Sequence, residues 1–289
     1  MKSELECLLC LFKQGLNTAR LATPHEEAHR EILNRIAAGI ESIDMTQSPA
    51  MVSRHVYSLV SDVTGVADPY REAKKQSNQE AIGILPDIER MIAESQDPLK
   101  TAIHVAVAGN VIDLGIGHEY NLAEDVRRLA STSFAIDHLE EFRQELRPGR
   151  KLLYLGDNAG EIVFDRVLVE QLLANNVEVT FCVKSGPIIN DATMKDAQQA
   201  GITSLVPTIT TGSADIGINL SNSSEEFLDA LNQAEVILAK GHGNFETCID
   251  FPHNFYFLLK AKCDVVSRAL GVRTGDIVFR HKPPAGGEV

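Results

Sequence analysis

The chain has no tryptophan, and aromatic residues fill only 6% of its 289 positions, so its core must be built mainly from aliphatic side chains. Long apolar runs are also missing: none approaches the roughly 18–20 residues needed to cross a bilayer as a helix. Basic residues are scarce, with 27 Lys and Arg against 40 Asp and Glu and a formal charge of −13. That balance gives no general attraction for nucleic acid or an anionic membrane surface, and neither is expected as a partner. It still admits an anionic substrate where a metal ion or a lysine reverses the sign locally. The cysteines are few and odd in number (Cys7, Cys10, Cys182, Cys248, Cys263), which argues for free thiols over a disulfide framework. The opening Met1-Lys2-Ser3-Glu4 lacks the pattern of a signal peptide, so a cytoplasmic protein is expected. Three common site motifs are absent as well. There is no GxGxxG after a strand, no Walker A lysine-serine motif and no GxSxG elbow. Dinucleotide, P-loop and α/β-hydrolase chemistry therefore have no support.

What is present divides near Pro148-Gly149. Residues 1–148 read as successive helices, with apolar residues at helical spacing over Glu4 to Leu21, Pro24 to about Ile43, and Ser48 to Val63. Asp68 and Pro69 suit the N-cap and first position of a fourth helix. Others fit Asp97 to Leu114, Leu122 to Ser131, and Asp137 to Leu146. No segment of this part alternates with period two, so it is expected to be all-α.

Residues 149–289 change period. Strands are expected at Lys151–Leu155, Val177–Val183, Ile202–Val206, Glu235–Ala239 and Asp276–Arg280. Between them, helices fit Ile162–Ala174, Asp191–Gln199, Glu225–Asn232 and part of Pro252–Leu270. Such alternation implies βαβ units and a mostly parallel sheet. The expected fold is thus α/β: a helical domain (1–148) packed on a three-layer α/β/α domain (149–289).

Polar clusters fall where predicted strands end, which is where parallel sheets bind ligands. Gly156-Asp157-Asn158-Ala159-Gly160-Glu161 follows the first strand. Asp157 and Asn158 offer a carboxylate and an amide oxygen suited to a hard divalent cation, although either would equally cap the following helix. Asp191, on the loop after the next strand, either caps its own helix or completes a site of two acids and an amide. Thr210-Thr211-Gly212-Ser213 is an ordinary loop composition that can also turn N–H groups toward an anion. Lys240-Gly241-His242-Gly243-Asn244-Phe245-Glu246 follows a fully apolar strand. Its lysine either projects into solvent or holds a phosphate that the glycine backbone can approach. His242 is a candidate general base. In the helical half, Asn110 and Asp113 share a face, either as a structural pair or as part of a cleft. Cys7-x-x-Cys10 is a pair of small apolar residues on a helix or part of a thiol metal site for which Cys263 could add a ligand.

Together these clusters resemble the metal-dependent damage-control phosphatases, first grouped as domain of unknown function 89, in the shorter branch that carries CxxC and Lys-Cys motifs. The resemblance runs through Cys7-x-x-Cys10, Gly65-x-x-Asp68-Pro69-Tyr70 with Lys74 and Asn78, Gly109-Asn110-x-x-Asp113, Gly156 to Glu161, Lys184 to Asp191, Lys240 to Glu246, and Lys262-Cys263. It implies a Rossmann-like second domain with a divalent metal (Mg2+, Mn2+, Co2+ or Ni2+) on Asp157, Asn158 and Asp191. It further implies that Asn110, Asp113 and Lys240 face phosphate and substrate, and that small phosphorylated metabolites such as sugar phosphates are hydrolysed.

On that basis Asp157, Lys240 and Asp113 are the expected catalytic residues. Asn110, Gly156, Gly160, Glu161, Gly241, Gly243 and Asn244 are expected to join Lys240 around the phosphate. The nucleophile is either water or the Asp157 carboxylate, and the oligomeric state is open. Two other classes compete: an S-adenosylmethionine-dependent carboxyl methyltransferase, disfavoured by the missing glycine-rich loop, and a metal- or phosphate-binding protein without turnover.

Overall fold

The computed structural model describes residues 1–111, 128 and 132–285. Three helices open the chain: α1 (Leu5–Ala22), α2 (Glu26–Gly39) and α3 (Pro49–Thr64). The Ser48 hydroxyl caps α3 by accepting Met51 N–H at 3.4 Å, Pro49 occupies its first position, and Gly65 ends it at φ 71°. The three bury Leu11, Ile32, Ile36, Val52, Val56 and Val60 in a core of their own.

α4 (Arg71–Ala93) starts two residues later than Asp68 and Pro69 suggest. Asp68 does not cap it; its carboxylate pairs with Lys74 at 3.2 Å instead. α5 (Pro98–Val111) buries Leu99 and every residue from Ala102 to Ala108.

Among the described residues the sheet has seven strands: β1 (Ile136–Asp137), β2 (Lys151–Leu155), β3 (Glu178–Val183), β4 (Thr208–Thr210), β5 (Val236–Lys240), β6 (Phe255–Lys260) and β7 (Ile277–Lys282). Their order is β1-β7-β6-β5-β2-β3-β4, and β6–β7 is antiparallel while the other pairs are parallel. The connecting helices are α6 (Leu139–Glu145), α7 (Glu161–Ala174), α8 (Met194–Gln199), α9 (Glu225–Gln233), α10 (Gly241–Cys248) and α11 (Asp264–Leu270).

Period-two alternation sends Leu152, Tyr154, Val236 and Leu238 to one face of the sheet, packed against apolar residues of α4, α5 and α7. Leu153, Leu155, Ile237 and Ala239 reach the other face, under α9, α10 and α11. The fold is mixed α/β with an N-terminal helical region and a mostly parallel sheet, as the periodicity suggests.

Local differences have physical causes. β1 lies within the stretch read as all-helical, because two residues are too few to show a period. The helix expected within Pro252–Leu270 is α11, and the same segment also holds the unexpected strand β6: Phe255-Tyr256-Phe257-Leu258-Leu259 is buried on both faces, so it shows no alternation to distinguish it from a buried helix. Ile202–Ser204 is a 3₁₀ turn, and the strand follows it at Thr208. The expected helix at 122–131 lies outside the described residues, apart from Arg128. No helix among the described residues is long and apolar enough to cross a membrane.

Candidate active site

The chain runs outward from β2 to β3 and β4, then returns to the opposite side of β2 with β5 and β6. This makes the β2–β5 boundary a topological switch point, where the strand ends open into a crevice. Asp157 and Asn158 follow β2 at this crevice, and Gly241 follows β5. The fit is so close that a Cβ on Gly241 would lie 1.9 Å from Asp157 Oδ2, and Gly241 sits at φ +79°. Only glycine fits there. Gly241→Ala is expected to displace the Asp157 carboxylate and lower turnover at least about 100-fold through a misplacement of an ångström or so. A variant with wild-type kcat would show that this contact is slack.

The loop after β3 is stitched to the β2 loop. Ala192 N–H donates to Asp157 O and Ala159 N–H to Asn190 O, both at 2.8 Å, and Asn158 and Asp191 form an isolated antiparallel bridge. Asp157, Asn158 and Asp191 therefore arrive together and line one cavity of about 580 Å³. Ile189, also on its wall, is held at φ 44°, a strained conformation for a β-branched residue.

Burial, with Glu161 and then Asp191 nearby, pushes the Asp157 carboxyl well above the usual carboxylate range. Burial likewise pushes Asp191 up to about 6, against the pull of Lys184 and Lys74. The Asn158 amide N–H donates to Asp157 Oδ2 at 2.8 Å and Glu161 Oε2 at 3.1 Å, which leaves its oxygen as an acceptor. Crowded acids, even with Lys184 Nζ 3.9 Å from Asp191 Oδ2, stand beside an amide oxygen in a set that suits a hard divalent cation. Among the described residues no three His, Cys, Asp or Glu side chains are grouped to hold a metal, so the amide is needed as the third donor here.

Lys240 requires correction. Its ammonium is fully buried and bonds Ala106 O at 2.9 Å, Glu161 Oε1 at 2.5 Å and Asp165 Oδ1 at 2.7 Å, so none of its three protons is left for a phosphate. Burial disfavours its charge, but Asp165 and Glu161 outweigh that and hold it protonated. The cause is strand parity: Lys240 follows Val236 and Leu238 onto the face covered by α5 and α7. The Tyr154 hydroxyl also donates to Asp165 Oδ1 at 2.8 Å. A buried polar chain thus runs from Tyr154 through Asp165, Lys240, Glu161 and Asn158 to Asp157.

Several expected phosphate contacts also prove to be scaffolding. Glu161 lies behind the cavity wall with no exposed surface. The Asn244 amide bonds Gly156 O at 3.2 Å and Lys240 O at 2.8 Å, clamping the ends of β2 and β5 together. Gly160 N–H is held by Asn78 Oδ1 at 2.7 Å, tying α4 to the loop after β2. Gly156, Gly160 and Gly241 do not line the cavity, whereas Gly243 does. His242 is no free base. Its Nε2 is engaged by the backbone, 2.8 Å from both Lys262 N and Lys260 O, and burial lowers its pKa to about 4. Thr211 turns its hydroxyl to Ser213 O at 2.9 Å within its own loop. Asp113 and the Asn110 side chain lie outside the described residues. Gly109, beside them, allows close packing, since a Cβ there would lie 2.7 Å from Phe164 Cδ2 and 3.0 Å from Glu161 Cα.

Residues 4–278 match the model of the damage-control phosphatase ARMT1-like domain. The chain belongs to this family. It is 35% identical over 288 residues to the damage-control phosphatase PH1575 of Pyrococcus horikoshii, covering 98% of this chain and 99% of that one. It is also 33% identical over 287 residues to a damage-control phosphatase of Archaeoglobus fulgidus, at 97% and 99% coverage. The crystal structure of a family protein from P. horikoshii superimposes with a TM-score of 0.91 at 34% identity, covering 97% of this chain and 99% of that one. A phosphatase function is therefore supported for this damage-control phosphatase family member.

The geometry also draws in residues outside the expected set. Lys262 is exposed on the cavity wall and favours the charged form of Asp157. It is the accessible cation that Lys240 was expected to be, and the sequence carries it only as half of the Lys-Cys pair. Glu246 lines the same wall; burial pushes its carboxyl up to about 7 although Ala50 N–H donates to it. Asp165 could have been found from its place one turn beyond Glu161 on a helix otherwise rich in apolar residues.

Proposed function

We propose that the protein is a divalent-cation-dependent phosphatase that hydrolyses phosphate monoesters of small cytoplasmic metabolites such as sugar phosphates. The observation that carries this reading is the meeting of Asp157, Asn158 and Asp191 at the switch point, inside a cavity that also presents Lys262. Asp157, Asn158 and Asp191 would hold the cation. When bound, a divalent ion such as Mg2+, Mn2+, Co2+ or Ni2+ supplies Lewis acidity to a phosphoryl oxygen. Lys262, exposed on the same cavity wall, would offset negative charge on the transferring group. The Lys240 ion network fixes Glu161, which holds Asn158, which in turn holds Asp157, so the donors are oriented before substrate arrives. A space of about 580 Å³ suits one phosphorylated metabolite. Positioning and charge stabilisation suffice for phosphoryl transfer, and no covalent chemistry by the thiols is required.

Chelated protein, assayed with an aryl phosphate and then a panel of sugar phosphates, is expected to gain at least about 100-fold in turnover on addition of one of these cations. Turnover that ignores the chelator would remove the metal from this reading. Failure on every ester would remove the phosphatase itself.

A further inference from the structure

The cavity that takes in Asp157 and Asp191 is also lined by Cys7 and Cys10 of α1 and by Cys263, the residue that precedes α11. Nothing in the proposed hydrolysis uses a thiol. Cys7 is buried and its sulfur accepts Glu4 N–H at 3.5 Å, whereas Cys10 and Cys263 are exposed. The two exposed thiols sit on separate elements that are already linked: Arg268 of α11 bonds the carboxylates of Glu4 and Glu6 at the start of α1, the latter at 2.9 Å. Among the described residues no group of His, Cys, Asp and Glu side chains is placed to hold a metal, so a soft-metal site has no support here.

We propose that Cys10 and Cys263 form a thiol modification site, which a low-molecular-weight disulfide converts into an intramolecular disulfide joining α1 to α11 across the cavity. Its effect on turnover rests on the phosphatase reading, while formation of the bond does not. Cys263 is taken as the attacking thiol because it is exposed and two backbone N–H groups, of Val266 and Val265, work against the rise that burial causes; at buried Cys7 only Glu4 N–H does so, and at Cys10 only the charge of Lys13. The Cys263 thiolate attacks one sulfur of the disulfide R–S–S–R; that S–S bond breaks, and R–S⁻ leaves and takes up the proton. Cys10 then attacks the mixed disulfide on the Cys263 sulfur and releases a second R–SH. The two cysteines lose two electrons and two protons together, and R–S–S–R is reduced to two thiols.

The test treats the full chain with oxidised glutathione, blocks remaining thiols, and identifies linked peptides by mass spectrometry. Turnover of an aryl phosphate and binding of Mn2+, followed by loss of the free-ion paramagnetic resonance signal, are measured before and after. A Cys10–Cys263 cross-link, a fall of at least about tenfold in turnover and slowed Mn2+ uptake are expected, all reversed by dithiothreitol. Cys10→Ser should lose the cross-link and the inhibition while keeping the turnover of the reduced protein, and Cys7→Ser should retain both responses. A Cys7–Cys10 bridge, or a glutathione adduct that never resolves, would overturn the pairing. A Cys10–Cys263 bridge that changes neither turnover nor Mn2+ uptake would overturn its control of the cavity. If the bridge forms and slows Mn2+ uptake in a protein that hydrolyses no ester, the phosphatase reading fails and this site stands.

Discussion

Replacing Asp157 by asparagine is expected to cut cation-dependent turnover about a thousandfold, the scale of losing one preorganised electrostatic group, while leaving the chelated protein as stable as before or more so. Asp157 stands against Glu161 and Asp191, whose charges add to burial in raising its cost of ionisation, and Glu161 does the same to Asp191. Removing one charge removes repulsion, as expected where a site trades stability for function. The same crowding sets a pH dependence. Asp191 is pushed from its ordinary 3.8 up to about 6, so its folded-state pKa exceeds the unfolded one. Its contribution to stability is fully present below about pH 4 and is lost as pH rises through about 6. The chelated wild type should therefore melt higher at about pH 5 than at about pH 7.5, and Asp157→Asn should shrink that difference. A divalent cation should stabilise the wild type at neutral pH by about 2.7 kcal/mol at a hundred times its dissociation constant, raising its melting temperature, and do far less for the variant. Differential scanning fluorimetry with and without chelator reads all of this. A variant that keeps cation-dependent turnover, or is stabilised by the cation as strongly as the wild type, would place the cation elsewhere.

The features legible in the sequence were those written in short-range pattern. The strand β2 shows as Leu152-Leu153-Tyr154-Leu155 followed by a glycine, and Asp157 and Asn158 fall at its end because the chain must turn there. Asp191 could be linked to them only by supposing that consecutive strands lie side by side, which β2 and β3 do. Lys240 shows where such reading stopped. A lysine between an apolar strand and a glycine looks like the start of a surface loop, yet it is the last residue of that strand and inherits its parity. Counting by twos from Val236 would have sent its ammonium inward, and Glu161 and Asp165 on α7 are the acids that a buried cation there requires. Lys262 was hidden for the opposite reason: the strand β6 before it carried no alternation, so its place just past a strand end, against His242, could not be seen. The helical stretch was legible as helices, but not the docking of α4 and α5 onto the sheet. That depends on Gly109 and Asn78 meeting α7 and Gly160, contacts far apart in sequence.

Lys240→Met should behave as a folding mutation, not as the loss of a phosphate ligand. Glu161 and Asp165 have no exposed surface, and burial already pushes Asp165 up to about 6 even with the ammonium at 2.7 Å. Without Lys240 these two acids would face each other uncompensated. Removing one partner of a buried ion pair costs about 3–5 kcal/mol, because the charge left behind has neither water nor a counter-ion. For a chain of this size the melting temperature should fall by roughly 10 °C. Combining Lys240→Met with Glu161→Gln and Asp165→Asn should recover much of that loss, since a neutral buried set has no charge to compensate. Turnover in the triple variant should still be impaired, because Glu161 no longer draws Asn158 and Asp157 into line as a charged acceptor. Lys262→Ala gives the contrasting outcome. That side chain is exposed, so stability should change by no more than about 0.5 kcal/mol, while kcat/KM falls by about tenfold or more as the cavity loses its accessible cation. Thermal melts and kinetics on the two lysine variants, measured side by side, separate the roles. A Lys240→Met protein that melts like the wild type and has lost only its turnover would return that lysine to the phosphate.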